Sequence, residues 1–333
     1  MEDRRHLAPF QGLTLRGVRS RSVRTPNFGE LYEPVNVTQA NLADPCEDPF
    51  FYANETRSAN CRALGITVPP PNSLSLTDVT AGGNPDLQPE TSNSLTLGAI
   101  FQPTFLRGFD MTLDYWDITI DNVVTQFAAN TILNYCVDLP TLDNVFCKQI
   151  TRDPNDPVRS VIALSTQTIN ASRLEARGID LGANYRVPLW QGELGLAFKA
   201  TYLLKKELQA VPGVPQSIVL QMGGIQDPRL RGNMTVSYSK GGFDMVVNGR
   251  LIGSSIYDPN AISDEYNDED EIPAIFYTDL SVGYNFNDRL RLTLGINNLT
   301  DRMPPYLQGT YLGAGGVYDV VGRNFFISAR TKF

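Results

Sequence analysis

The chain has 333 residues and a net charge of −8, with only 19% charged residues against 42% apolar ones. That balance argues against a nucleic-acid binder, which carries a basic face. No apolar run reaches the roughly 18 residues of a membrane-spanning helix. With 27 Gly, 22 Pro and 14 Tyr, the composition favours strands and turns. A single histidine, His6, leaves little room for histidine-based catalysis or metal binding. Residues 1–6 are not followed by an apolar stretch and lack the form of a secretory signal.

Taken in chain order, period-two alternation predicts weaker strands over 13–21, 95–101 and 109–120, the last changing phase near Tyr115 and Trp116 as a β-bulge would. Stronger stripes follow at 179–187, 194–204, 230–239, 243–251, 276–286, 290–296 and 325–333, which makes about ten strands. Short joints at 103–107, 188–192, 240–242 and 287–288 carry Gly, Pro, Asn or Asp, as hairpin turns do. Long polar connections occupy 26–89, 123–172, 207–227, 257–273 and 300–317, so long and short joints alternate. A water-facing sheet on a soluble core produces the same stripes, but it has no reason for this loop rhythm. An antiparallel transmembrane β-barrel with short periplasmic turns and long extracellular loops does.

Cys46 and Cys61 lie in the first long connection, Cys136 and Cys147 in the second. Four cysteines allow three pairings, of which the local one within each loop is simplest. Closing a loop of about 15 residues stabilises by roughly 3 kcal/mol. With no C-x-x-C spacing and no companion histidine, a metal site is not expected. The acidic run at Asp264, Glu265 and 268–271 has calcium-like chemistry but reads as a solvated loop tip. Tyr115, Trp116, Trp190, Tyr202, Tyr238, Tyr257, Tyr277, Tyr284 and Phe286 fall near strand ends or along one stripe, where an interfacial girdle would sit. Tyr32, Tyr306 and Tyr311 lie in loops, where ligand stacking is the second reading. No G-x-S-x-G elbow, P-loop or G-x-G-x-x-G is present. Asp114 and Asp117 could be imagined as an acid and base pair, but they sit in a strand whose lumen-facing side would be polar anyway, so none is assigned. No catalytic residue, cofactor or metal is expected.

Four blocks then resemble TonB-dependent outer-membrane receptors: R-G-V-R-S-R-S-V-R-T-P-N-F-G-E-L-Y at 16–32, G-N-P-D-L-Q-P-E-T-S at 83–92, G-I-N-N-L-T-D with P-P-Y at 295–306, and Y-D-V-V-G-R at 318–323 running to the terminal Phe333. The resemblance implies a 22-strand barrel whose lumen holds an N-terminal plug. It also implies uptake of a scarce nutrient (siderophore, cobalamin or glycan) driven through the TonB complex. The implied location is the outer membrane of a Gram-negative bacterium, with outer-membrane lipid as a partner. A subgroup of the family carries cysteine pairs in these loops. Residues 1–333 then correspond to the C-terminal part of the barrel domain, about ten of its strands, without plug or signal peptide. The first two loops are expected to cap the ligand site, and no ligand-contacting residue is assigned. Rival expectations are a truncated non-transporting remnant, or a small self-closing barrel or binding protein.

Overall fold

The computed structural model describes residues 2–71, 75–212, 214–257, 259–260, 271–307, 310–311 and 317–332. The wall is a meander of β1 (Glu2–Phe10), β2 (Leu13–Arg24), β3 (Glu90–Phe101), β4 (Phe109–Thr125), β5 (Ile169–Leu189), β6 (Gly192–Gln209), β7 (Leu230–Lys240), β8 (Phe243–Ile252), β9 (Ile275–Asn287), β10 (Leu290–Asn297) and β11 (Asn324–Thr331). Each strand pairs antiparallel with the next in sequence, and a short strand at Ile218–Leu220 adds to β6. The sheet is open, with β1 and β11 as its edges, so the described residues do not form a small self-closing barrel.

Ten of these strands answer the predicted stripes, and β1 corrects the count. Arg4, Arg5, His6 and Pro9 break its alternation, yet it pairs with β2 from Glu2 against Ser20 to Phe10 against Leu13. At 21 and 18 residues, β5 and β6 run well past the 9–11 residues that cross a bilayer.

Their extra length explains the phase change in β4. From Phe109 to Ile120, β4 keeps one unbroken register against β5, so no bulge falls at Tyr115 and Trp116. The register shifts between Ile120 and Val123, around Asn122 at φ 58°. What changes at Tyr115 is polarity. Below it the convex face carries Leu97, Leu113 and Leu15, all exposed. On the next row Leu95, Asp117, Arg177 and Lys205 stand side by side. Ion pairs cover the convex face from there on, Arg177 to Asp117 at 3.0 Å and Lys205 to Glu175 at 2.7 Å. Trp116 turns to the concave side, where a Cβ on Gly178 would meet its ring at 2.4 Å. The strand leaves the apolar band, and its two faces exchange roles.

The first two long connections build a second body on the long-loop ends of β2–β6. Asn36–Leu42 pairs antiparallel with Ser75–Ala81, and the latter pairs parallel with Val161–Ser165 of the other loop, which Ile150–Arg152 flanks. Helix α1 (Phe28–Tyr32) starts on a capping box of Asn27 and Glu30, and α2 (Glu55–Ala63) on the Asn54 side chain. Helix α3 (Ala129–Asp138) buries Ile132, Leu133, Cys136 and Val137 on one stripe. With Phe51, Ile66, Phe146 and Leu164 these form one core drawn from both loops. Cys46 is bonded to Cys61, and Cys136 to Cys147.

Candidate functional site

The concave face of the wall is polar by alternation, and glycines let its charges meet across two strands. Arg16 on β2 reaches Asp114 on β4 at 2.7 Å over Gly98 on β3. A Cβ on Gly98 would lie 1.8 Å from the Asp114 carboxylate. The same device recurs at the other end of the wall, where Arg291 on β10 passes Gly283 on β9 to bond Asp244 on β8 at 2.8 Å. Between the two bridges lies a cavity of about 570 Å³ lined by Asp180, Lys199, Thr201, Asp227 and Arg231. A neighbour of about 480 Å³ is lined by Asn233, Asn248, Arg250, Asp279 and Asn324. Arg250 stacks over Tyr277 at 4.8 Å. The surface offers several cationic and amide donors to an anionic or oxygen-rich guest.

The cap holds its two loops together by polar contacts as well as by its core. Arg57 of the first loop donates to Asp138 of the second at 2.6–2.7 Å, and Arg152 pairs with Asp44 across the same boundary. The Asn60 amide donates to the Val137 and Leu139 carbonyls at 2.8 and 2.9 Å. Its tie to the wall centres on Arg24, the last residue of β2. Arg24 donates to Glu90 at 2.6 and 2.7 Å and to Glu30 at 3.0 and 3.1 Å. The Val124 N–H donates to Glu90 at 2.8 Å. The Arg24 guanidinium holds the Glu30 carboxyl below the usual carboxylate range.

The four sequence blocks converge on this boundary between wall and loops. Asn84 donates from its backbone to the Glu30 carbonyl and from its side chain to the Thr168 carbonyl. A Cβ on Gly83 would lie 2.6 Å from the Tyr32 and Glu33 nitrogens, so the chains approach too closely for any other residue. Asn298, fully buried at φ 52°, exchanges two hydrogen bonds with the Arg302 backbone, and Asp301 accepts from the Arg323 N–H. Tyr318 is buried against Ile225, Ile252, Ile272 and Tyr277, which joins the last three long connections. These motif residues set where the loops leave the wall. The polar lining of the lumen, by contrast, carries no local motif; only strand alternation and register could have found it.

The other expected positions divide. Tyr115, Tyr202, Tyr238, Tyr284 and Phe286 share the convex register rows, and Trp190 projects from the turn joining β5 and β6. Trp116 and Tyr277 correct the girdle reading, one turned inward and the other buried in the loop core. Asp114 and Asp117 are not a pair, because they face opposite sides of the sheet and bond Arg16 and Arg177. Tyr32 is exposed and lies tilted against Phe28 with ring centroids 5.3 Å apart; Tyr306 is exposed as well. The acidic positions 264–270, the side chain of Tyr311 and Phe333 lie outside the described residues.

Comparison with solved structures finds the same fold. A ferric enterobactin receptor mutant from Pseudomonas aeruginosa, in complex with enterobactin, superimposes at TM-score 0.61 and 16% identity, covering 100% of this chain and 40% of that one. The siderophore receptor PirA from Acinetobacter baumannii gives 0.58 and 14%, over 98% and 40%. The FrpB iron transporter from Neisseria meningitidis gives 0.56 and 11%, over 100% and 38%. At such identities the likeness is one of fold, and the chain spans about two fifths of the length of these structures. No curated protein matches the chain. The family described as TonB dependent receptor-like, beta-barrel matches residues 7–299, which is most of the sequence. With the meander, the loop rhythm and the four boundary motifs in agreement, this chain belongs to that family of TonB-dependent receptor barrels.

Proposed function

We propose that this chain forms the C-terminal wall and cap of a Gram-negative outer-membrane receptor for TonB-dependent, energy-coupled uptake of a scarce nutrient, with an iron–siderophore complex as the cargo. The wall meets outer-membrane lipid on its convex face, and the TonB complex acts through a plug that these residues do not contain. The observation that carries the reading is the fused cap standing at the long-loop end of a polar, partly cationic concave wall. Arg231, Arg250 and Lys199 supply the charge an anionic chelate requires. The exposed Phe28 and Tyr32 rings supply a surface for its aromatic groups. Fold likeness to siderophore receptors supports the same cargo over cobalamin or a glycan.

The test is uptake of radiolabelled iron–siderophore, cobalamin and oligosaccharide by cells carrying the parent receptor as their single route. Siderophore uptake that stops when the proton-motive force is collapsed, and that is lost when residues 36–81 are excised, is the expected result. Uptake of cobalamin or glycan instead would overturn the cargo. Uptake indifferent to the proton-motive force would overturn the coupling.

A further inference from the structure

The convex face stays outward in a closed, plugged barrel, and its charges are divided unevenly. On β4–β6 they are matched: Arg177 pairs with Asp117 at 3.0 Å, Lys205 with Glu175 and Glu207 at 2.7 Å, and Arg173 with Glu175 at 3.2 Å. The row of Asp117 continues through Leu95 to Arg19 on β2, and the next row places Arg21 opposite Asn93. Both arginines are exposed, and no described acid forms an ion pair with Arg19. Asp3, opposite Arg19 on β1, pairs with Arg5 instead at 3.3 Å. From its first residue, Leu13, β2 reaches Arg19 within seven residues, short of the 9–11 that cross a bilayer. Arg19 therefore stands at the margin of the apolar stripe, next to the gap at Gly17 and the exposed Leu15 and Leu97. A cation on a lipid-facing side is costly unless its head reaches polar headgroups and an anion meets it there.

We propose that Arg19 and Arg21 form a binding site for the phosphate-bearing headgroup of an outer-leaflet lipid, with its acyl chains along Leu15, Gly17 and Leu97. The site rests on the outer-membrane part of the reading above and not on the cargo. The adjacency of the two surfaces makes the choice. A lipid carries phosphate and acyl chains in one molecule, as this face carries cations and leucines on neighbouring rows. A free phosphate would use the cations and leave the leucines uncovered. Arg19 and Arg21 project from alternate positions of one strand, about 7 Å apart, and each guanidinium fork can take two phosphate oxygens. The ionic network on β4–β6 has no such surplus. There Arg173, Arg177 and Lys205 face Asp117, Asp121, Glu175 and Glu207, three cations against four acids.

The experiment uses the parent receptor, purified from outer membranes into detergent micelles. Its recovery from another cell fraction would overturn the outer-membrane reading and the site with it; the outcomes that follow bear on the site alone. Lipid A and fully dephosphorylated lipid A are titrated against the protein by native mass spectrometry, with pyrophosphate as competitor. Lipid A should bind at least about tenfold more tightly than its dephosphorylated form, the difference shrinking with salt. Arg19→Gln/Arg21→Gln should remove most of that preference, a loss of about tenfold. Arg177→Gln/Lys205→Gln should change it by less than about twofold, since those cations are already paired. Should the first variant fail to fold, Arg19→Gln alone is expected to weaken lipid A by about threefold or more. Equal binding of the two lipids would overturn the proposal, as would undiminished preference in a folded Arg19 variant. So would an equal loss in the Arg177 and Lys205 variant, which would place the headgroup on the ionic network. Pyrophosphate displacing lipid A at equal concentration would overturn it too, since the arginines would then take any small anion.

Discussion

Wall and cap fold by opposite means. The wall has a register but almost no dry core: its outward Leu97, Leu294, Phe325 and Ile327 are all exposed in the isolated chain. Its order comes from the hydrogen-bond ladder, and in the proposed receptor its apolar face is completed by lipid. The cap has the reverse, a core of fully buried Ile132, Val137 and Phe146 closed by two disulfides and ion pairs. Its sheet is small and its edges are open. A part exposed to water and ligand must carry its own core, whereas a part in the membrane uses its surroundings. Substitutions in one region should therefore spare the other.

The largest expected effect is in the cap. Phe146 packs edge-on against Phe127 at 5.0 Å and beside Tyr135 at 5.1 Å. Phe146→Ala should cost about 3–5 kcal/mol of cap stability, read as accelerated proteolysis between residues 36 and 168 with the wall still protected. Replacing Cys136 and Cys147 by Ser should cost about 3 kcal/mol in the same assay. The converse change is Leu294→Arg, which puts a charge on the lipid face for about 2–4 kcal/mol near the bilayer midplane. It should lower the temperature at which the barrel loses its heat-resistant gel mobility, with cap proteolysis unaltered. A result in which any of these three moves both regions equally would dissolve the distinction.

The smallest effect is the pH response of the tie between them. Because Arg24 holds the folded Glu30 carboxyl below its ordinary range, this contact stabilises above that range and is lost as pH falls through the folded value. Amide exchange at α1 should rise on acidification, and Arg24→Gln should abolish that rise. A rise of the same size in the variant would assign it to another group.

The wall was legible because one physical rule, a side-chain period of two, writes itself into the sequence as stripes such as Leu290, Leu292, Leu294 and Ile296. The rule fails where a second influence acts. β1 is held by pairing to β2 in spite of Arg4, Arg5 and Pro9. At Tyr115 the convex face changes from apolar to charged residues, and the inversion of polarity mimics a bulge. The cap was legible as two capping loops and a simplest cysteine pairing, but not as one body. Asp78–Thr80 and Ala163–Ser165 pair in parallel across more than 80 residues of chain, and no local pattern records a contact of that kind. The pairings within the lumen lining were illegible for a related reason: Arg16 and Asp114 meet only because the register sets Gly98 between them. The motifs were easy to see because their glycines, asparagines and prolines meet strict backbone demands at the boundary, and those demands are unrelated to the choice of ligand.

The fusion of the two loops is tested most directly by hydrogen exchange, followed by mass spectrometry, on the peptides containing residues 75–81 and 161–165. In the intact protein both should be protected to a similar degree, and Phe146→Ala should release them together, although only the second segment lies in the loop that carries the substitution. If residues 161–165 lose protection while 75–81 keep theirs, the loops fold separately and the single cap is wrong.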